Sequence, residues 1–334
     1  MKHRTFLRIA NNSVAMTLAT LIAGSAYATV NVPTGVNTTI PAPRALVSPP
    51  QNEQAVRDYW TPARMIAAQQ SGGGGEYAPE VVITPGGDYL GYSEMEKPYS
   101  DKKLSRLTGI LFYRKENDAP THCSASVIAS NSKSLIVTAA HCVMDSRKNW
   151  SNYLMFVPAY NSKDGVVSAP LGTWPINQTF VSQSHTNNDI AYTDVAVARV
   201  YPLSGQKLEE IVGEGFGYTL SENEKFPIVK VLGYPGGGYD GGTQRFCDSH
   251  TRTSTNPERP IDDLETINCT TISGNSGGPI LLQDKSDLPP RVVAVVHNLT
   301  EQTRLRRYVF PELYREADDL GSTYSTQHLI NPFQ

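Results

Sequence analysis

The sequence predicts an all-β protein, on three observations. Short apolar or alternating runs recur from about Leu107 onward, turn-forming Gly, Pro, Asn and Asp separate them, and long helical periodicity is scarce before the C-terminal tail. The expected strands are 109–113, 124–128, 134–138, 152–157, 195–200, 228–232, 279–282 and 292–297, and 311–319 reads as the one clear helix. Short strands repeated over roughly 225 residues suggest a barrel or sandwich.

The chain has 334 residues, 39% of them hydrophobic, with a formal net charge of −3, which suits a globular protein with a sizeable core. Its 29 Lys and Arg nearly balance its 32 Asp and Glu, so no long-range positive field would gather phosphates, and no nucleic-acid partner is expected. The group Arg304-Leu305-Arg306-Arg307 reads as solvated surface.

Residues 1–28 carry a basic start (Lys2, His3, Arg4, Arg8), an apolar run over 14–23, and Ala26 and Ala28 around Tyr27. This is the pattern of a secretory signal cut after Ala28, giving a secreted or periplasmic protein. No later stretch approaches the roughly 18 uninterrupted apolar residues of a membrane span, so no membrane anchor is expected. In an oxidising compartment the four cysteines would form disulfides, with three pairings open in principle. Zinc-ligand spacing is missing, so neither a metal nor another cofactor is expected.

Residues 29–104 differ in texture, with Pro33, Pro41, Pro43, Pro49 and Pro50, then glycines from Gly72 to Gly75. They read as a leader and not as core: a pro-segment, or alternatively an N-terminal extension that stays attached. One short helix is expected around 55–60, with Pro62 near its start or in a kink. Residues 105–334 form the expected main domain, of strand-and-turn texture.

Two motifs carry chemistry. Thr138-Ala139-Ala140-His141-Cys142 places a histidine where an apolar strand ends. Gly274-Asn275-Ser276-Gly277-Gly278-Pro279 sets a serine among glycines, where the backbone can turn sharply and present its N–H groups. Each alone has an ordinary reading, as packing or as a turn. Together, in this order, they resemble the chymotrypsin-like serine peptidases. That resemblance implies two six-stranded antiparallel β-barrels with the active site in the cleft between them, a short C-terminal helix, monomeric action, and protein or peptide substrates.

The resemblance also implies an acid between histidine and serine in the chain. Asp189 and Asp194 both precede apolar runs, and Asp194 is preferred because residues 195–200 are long enough for a buried strand. A serine hydroxyl is a weak nucleophile, so His141 would take its proton during attack and return it to the leaving amine. Asp194 would fix the imidazole tautomer and stabilise the imidazolium. The N–H groups of Gly274 and Ser276 would form the oxyanion hole. On order and proximity Cys123 would pair with Cys142, bracing the histidine loop, where closing about 20 residues contributes roughly 3 kcal/mol. Cys247 and Cys269 are left to pair.

Asn275 stands where many animal members have an aspartate that binds a newly freed N-terminal amine, so that ion pair is absent here. Within the family the chain looks more like the bacterial glutamyl-endopeptidase branch, on Cys123-Ser124-Ala125-Ser126-Val127-Ile128, Phe156-Val157-Pro158-Ala159-Tyr160, Gly233-Tyr234-Pro235 and Tyr59-Trp60-Thr61-Pro62. By that resemblance Thr271 and His297 would hold a Glu or Asp side chain before the cut bond, although Asn298-Leu299-Thr300 replaces the branch's usual glycines. Removal of the leader between about residues 75 and 105 would then alter activity. Two rivals are a silent binding protein on a protease scaffold and an esterase. The first has no chemical need for His141, Asp194, Ser276 and Gly274 together. The second places histidine last in the chain, whereas here it comes first.

Overall fold

In the computed structural model, residues 45–70, 78–115, 119–186, 193–222, 224–254, 264–282 and 290–318 are described. The expected signal segment, the glycine run and Asp189 lie outside them.

Packing begins well before the boundary expected at residue 104. Strand β1 (Ala45–Val47) is followed by two helices, α1 (Glu53–Tyr59) and α2 (Pro62–Gln69), where one was expected. Each is capped by its own sequence: the Asn52 side chain accepts from the Ala55 N–H and the Thr61 hydroxyl from the Arg64 N–H. Pro62 takes the first turn, where its missing N–H leaves nothing unpaired, so it starts the second helix. Val56, Trp60, Met65 and Ala68 are buried against Ile110, Phe112, Met155 and Val157. Burying a large apolar side chain contributes about 1.5–3 kcal/mol, so this arm belongs to the core. Trp60 Nε1 also donates to Tyr153 O at 2.5 Å, and Tyr59 stacks on Tyr153 at 4.1 Å. Composition misled here because prolines and glycines flank the arm and do not interrupt it. After β2 (Ser93–Glu94) and α3 (Lys103–Leu107) the chain enters the first barrel.

That barrel comprises β3 (Thr108–Arg114), β4 (Thr121–Val127), β5 (Leu135–Thr138), β6 (Asn152–Pro158), β7 (Trp174–Ser182) and β8 (Ala196–Val200), with the short helix α4 (Ala140–Val143) after β5. The antiparallel ladder runs β7-β6-β3-β4-β5-β8, and pairing of β8 back to β7 closes it at six strands, with β1 added on β7. Alternation along β3 explains its unbroken apolar run. Leu111 and Tyr113 face the barrel interior, while Ile110 and Phe112 face the arm, so both surfaces are covered.

Helix α5 (Leu208–Val212) and β9 (Gly217–Tyr218) lead to the second barrel: β10 (Val229–Gly233), β11 (Arg245–Ser249), β12 (Thr251–Thr253), β13 (Leu264–Thr266), β14 (Pro279–Leu282), β15 (Arg291–Asn298) and β16 (Glu301–Arg304). Its ladder runs β12-β13-β16-β15-β14-β10-β11, with β2 on the β11 edge. Only His250 separates β11 from β12, so consecutive segments of chain lie near opposite ends of this sheet, which forms a half-barrel. All eight expected strands are present within a few residues of their expected ends.

Helix α6 (Phe310–Asp318) matches the expected C-terminal helix and buries Phe310, Leu313 and Ala317, one face at helical spacing. The basic group before it does not form a solvated surface. Arg304 and Arg306 are buried, because β16 turns Arg304 inward, where it donates to Ser221 Oγ at 3.1 Å and Glu224 O at 2.8 Å. Only Arg307 of the three is exposed. Among the described residues no helix is long and apolar enough to cross a membrane.

Candidate active site

The two disulfides form in the expected pairing. Cys123–Cys142 spans 6.3 Å between Cα atoms and ties β4 to α4, and Cys247–Cys269 spans 6.0 Å and ties β11 to the approach of the serine loop.

His141 lies in the single turn α4, its side chain about a third exposed. Asp194 is fully buried just before β8 and grips this residue twice: its Oδ1 accepts the His141 backbone N–H at 2.7 Å, and its Oδ2 meets His141 Nδ1 at 2.7 Å. Pairing of β5 with β8, with Thr138 opposite Ala196, sets both residues at the same barrel end. Burial alone would push the Asp194 carboxyl up, but the adjacent His141 charge and the hydrogen bonds from His141 and His297 hold it well below the usual carboxylate range. It is therefore a carboxylate at any pH where a peptidase works. Nδ1 of His141, facing it, carries a proton, which leaves Nε2 as the acceptor in the neutral ring.

The serine loop abuts this strand end. Ser276 O accepts from Ser124 N at 2.8 Å, and a Cβ placed on Gly277, at φ +77°, would lie 2.1 Å from Thr138 Oγ1 and 2.7 Å from Ala139 N. Ser276 Oγ has no hydrogen bond to His141, as is common before substrate arrives. Within residues 274–278 the N–H groups of Asn275, Gly277 and Gly278 donate to Ile272 O, Val296 O and Asn275 O. Those of Gly274 and Ser276 have no acceptor among the described residues. Their direction follows from peptide planarity. Ser273 O is held by Gly236 N at 2.7 Å and Asn275 O by Gly278 N at 2.8 Å, so the N–H of each following residue points to the opposite side. Gly274 adopts φ +91°, and a Cβ there would lie 2.4 Å from His122 Nε2 and 2.6 Å from Tyr234 O. The Ser124 hydroxyl stabilises this conformation, donating to Gly274 O at 2.9 Å while accepting Tyr234 N–H at 2.8 Å.

Asn275 is fully buried and donates through its amide nitrogen to Tyr92 Oη at 2.6 Å. A phenol from the segment before residue 104 thus occupies the place where an activating amine was judged absent. Burial pushes the Tyr92 hydroxyl well up, so it stays neutral. Nothing local in the sequence marks Tyr92 for this role.

The expected specificity pair has other partners. Thr271 is buried, and its N–H and its hydroxyl both donate to Leu299 O, at 2.8 and 2.7 Å. His297 Nδ1 lies 2.5 Å from Asp194 Oδ2, and the His297 ring centroid is 6.0 Å from that of His141. The site therefore gathers His141 and His297 around the Asp194 carboxylate, with His185 nearby, whose imidazole burial makes harder to protonate.

Residues 123–288 match the trypsin-like peptidase domain. No protein of curated function matches the chain by sequence. Among solved structures, a thermostable serine protease, AL20, from an extremophilic microorganism superposes with a TM-score of 0.56 at 20% identity, covering 65% of this chain and 99% of that one. The protease Anisep from Arthrobacter nicotinovorans gives 0.55 at 23% identity, over 65% and 97% of the two chains. A Glu endopeptidase in complex with MPD gives 0.52 at 20% identity, over 71% and 99%. At these identities the likeness is one of fold.

Proposed function

The chain is a serine endopeptidase of the chymotrypsin type, and from that premise we propose that it is exported and cuts peptide bonds through Ser276, His141 and Asp194. The observation that carries the assignment is the double hold of Asp194 on His141, which commits Nδ1 and leaves Nε2 to serve as the base. Ser276 Oγ attacks the peptide carbonyl as His141 Nε2 takes its proton, and the carbonyl oxygen gains negative charge. The N–H groups of Gly274 and Ser276 stabilise that charge, each such donor being worth about 100- to 1,000-fold in rate. His141 then returns the proton to the leaving amine, and water hydrolyses the acyl-enzyme by the same steps in reverse. Export rests on the N-terminal charge and apolar pattern together with the two disulfides.

For the residue before the cut bond we propose Glu or Asp, as the name of one fold neighbour suggests. The inward bonds qualify how it would be bound. With its proton donated to Leu299 O, the Thr271 hydroxyl offers a carboxylate only lone pairs. With Nδ1–H directed at Asp194, His297 can donate from Nε2 only as an imidazolium. Acidic preference should therefore be stronger under acidic than under alkaline conditions. Digestion of a peptide library at about pH 5.5 and pH 8, on either side of the ordinary imidazole range, tests this. Cleavage with no acidic preference at either pH would remove the specificity and leave the endopeptidase.

Processing of the leader is proposed to spare Tyr92, since a cut beyond it would discard the partner of Asn275. Intact-mass analysis of the active protein should give a first residue at or before 92; an active form starting later would contradict it.

A further inference from the structure

We propose that His297 is a positioning residue for the triad, holding the Asp194 carboxylate in place for His141. The proposal rests on the triad reading above and adds a second imidazole to it. Asp194 Oδ2 receives Nδ1 of both His141 and His297, at 2.7 and 2.5 Å, while Oδ1 receives the His141 backbone N–H at 2.7 Å. Each histidine comes from a different barrel, His141 from α4 and His297 from β15, so their shared acceptor is a bond across the interface between the barrels. A carboxylate on one short turn between Thr193 and Val195 could rotate about its χ angles. With three donors converging from two directions it cannot do so without breaking a charge-assisted hydrogen bond.

His297 is itself held. Its N–H donates to Gln302 Oε1 at 3.1 Å, its side chain is 11% exposed, and the Asn298–Glu301 pairing turns the chain straight back into β16. The turn at Leu299 is fastened to the serine-side wall through Thr271. These bonds give His297 a fixed station beside the triad. The titratable groups that act on this cluster among the described residues include Asp194, His141 and His185.

Three substitutions separate this role from that of a substrate ligand. His297→Asn keeps an N–H donor near the place of Nδ1, His297→Gln carries one near the place of Nε2, and His297→Ala has neither. If His297 positions Asp194, the Ala and Gln variants lose about 10- to 100-fold in kcat on every substrate, acidic or not, the usual range for a hydrogen bond to a charged group. The Asn variant recovers most of that. In Ala and Gln the acid limb of the kcat/KM profile moves to higher pH, because a carboxylate with one donor fewer favours the His141 imidazolium more strongly. Thermal unfolding and labelling of Ser276 by a fluorophosphonate confirm that each variant is folded. The proposal is overturned if kcat is unchanged and only KM for acidic substrates rises, or if Asn is as impaired as Ala. If wild-type enzyme fails to label at Ser276, the triad reading itself falls, which is a separate outcome.

Discussion

Ser276→Ala is expected to lower kcat on a chromogenic peptide by about a million-fold, the scale on which removing a serine nucleophile acts. The remaining parts would stay in place. Asp194 would still hold His141 at two atoms, and the N–H groups of Gly274 and Ser276, fixed by the carbonyl anchors at Gly236 and Gly278, would still face the substrate. The variant should therefore bind peptide with little change in KM and retain some rate above water from the oxyanion donors alone. Burst kinetics must vanish with it, since no acyl-enzyme can form. Residual activity above one part in a thousand would show that another group performs the attack.

Asp194→Asn is expected to cost about 10,000-fold in kcat with the fold intact. The cause is proton placement. An amide nitrogen at the Oδ2 position would present N–H to rings that now present N–H to it, so His141 and His297 would both shift their proton to Nε2. His141 could then no longer accept from Ser276. Raising the pH would not restore activity, because the neutral ring would stay in the wrong tautomer. Turning the amide over would restore the imidazole contacts but would aim the amide at the His141 backbone N–H. A variant retaining more than a tenth of wild-type kcat would exclude Asp194 as the triad acid. The same residue bears on acid stability. Its folded carboxyl is more acidic than in the unfolded chain, so it stabilises the protein at neutral pH, and that contribution is lost only as pH falls below about 4 toward the folded value.

What could be read from the sequence follows the range of the interactions concerned. Strands such as β5 and β15 announce themselves because both their faces are buried and their apolar runs are continuous. Glycines around Ser276 are legible because the backbone there adopts conformations that a side chain would forbid. The arm of α1 and α2 reads differently in sequence and in structure, since Val56 in α1 and Trp60 just after it find their partners, Phe112 and Tyr153, far along the chain. Arg304 looked like surface for a similar reason, its acceptors Ser221 and Glu224 being about 80 residues upstream. Asp194 could be preferred over Asp189 on strand length, but its second imidazole could not be foreseen, because a histidine at a strand end reads the same whether it meets substrate or carboxylate. No local pattern reveals a partner 103 residues away.

The hydrogen bond from Asn275 to Tyr92 spans 183 residues, about two thirds of the stretch between the first and last described residues. On a ribosome adding about 5–20 residues per second, Tyr92 would wait roughly 10–40 s before its partner is even synthesised. Until then the phenol has no loop to support, because residues 274–278, the proposed oxyanion loop, do not yet exist. A nascent chain therefore carries its histidine and most of its first barrel without a working oxyanion site, and neither it nor its neighbours on the same messenger can be cut by it before its final third is made.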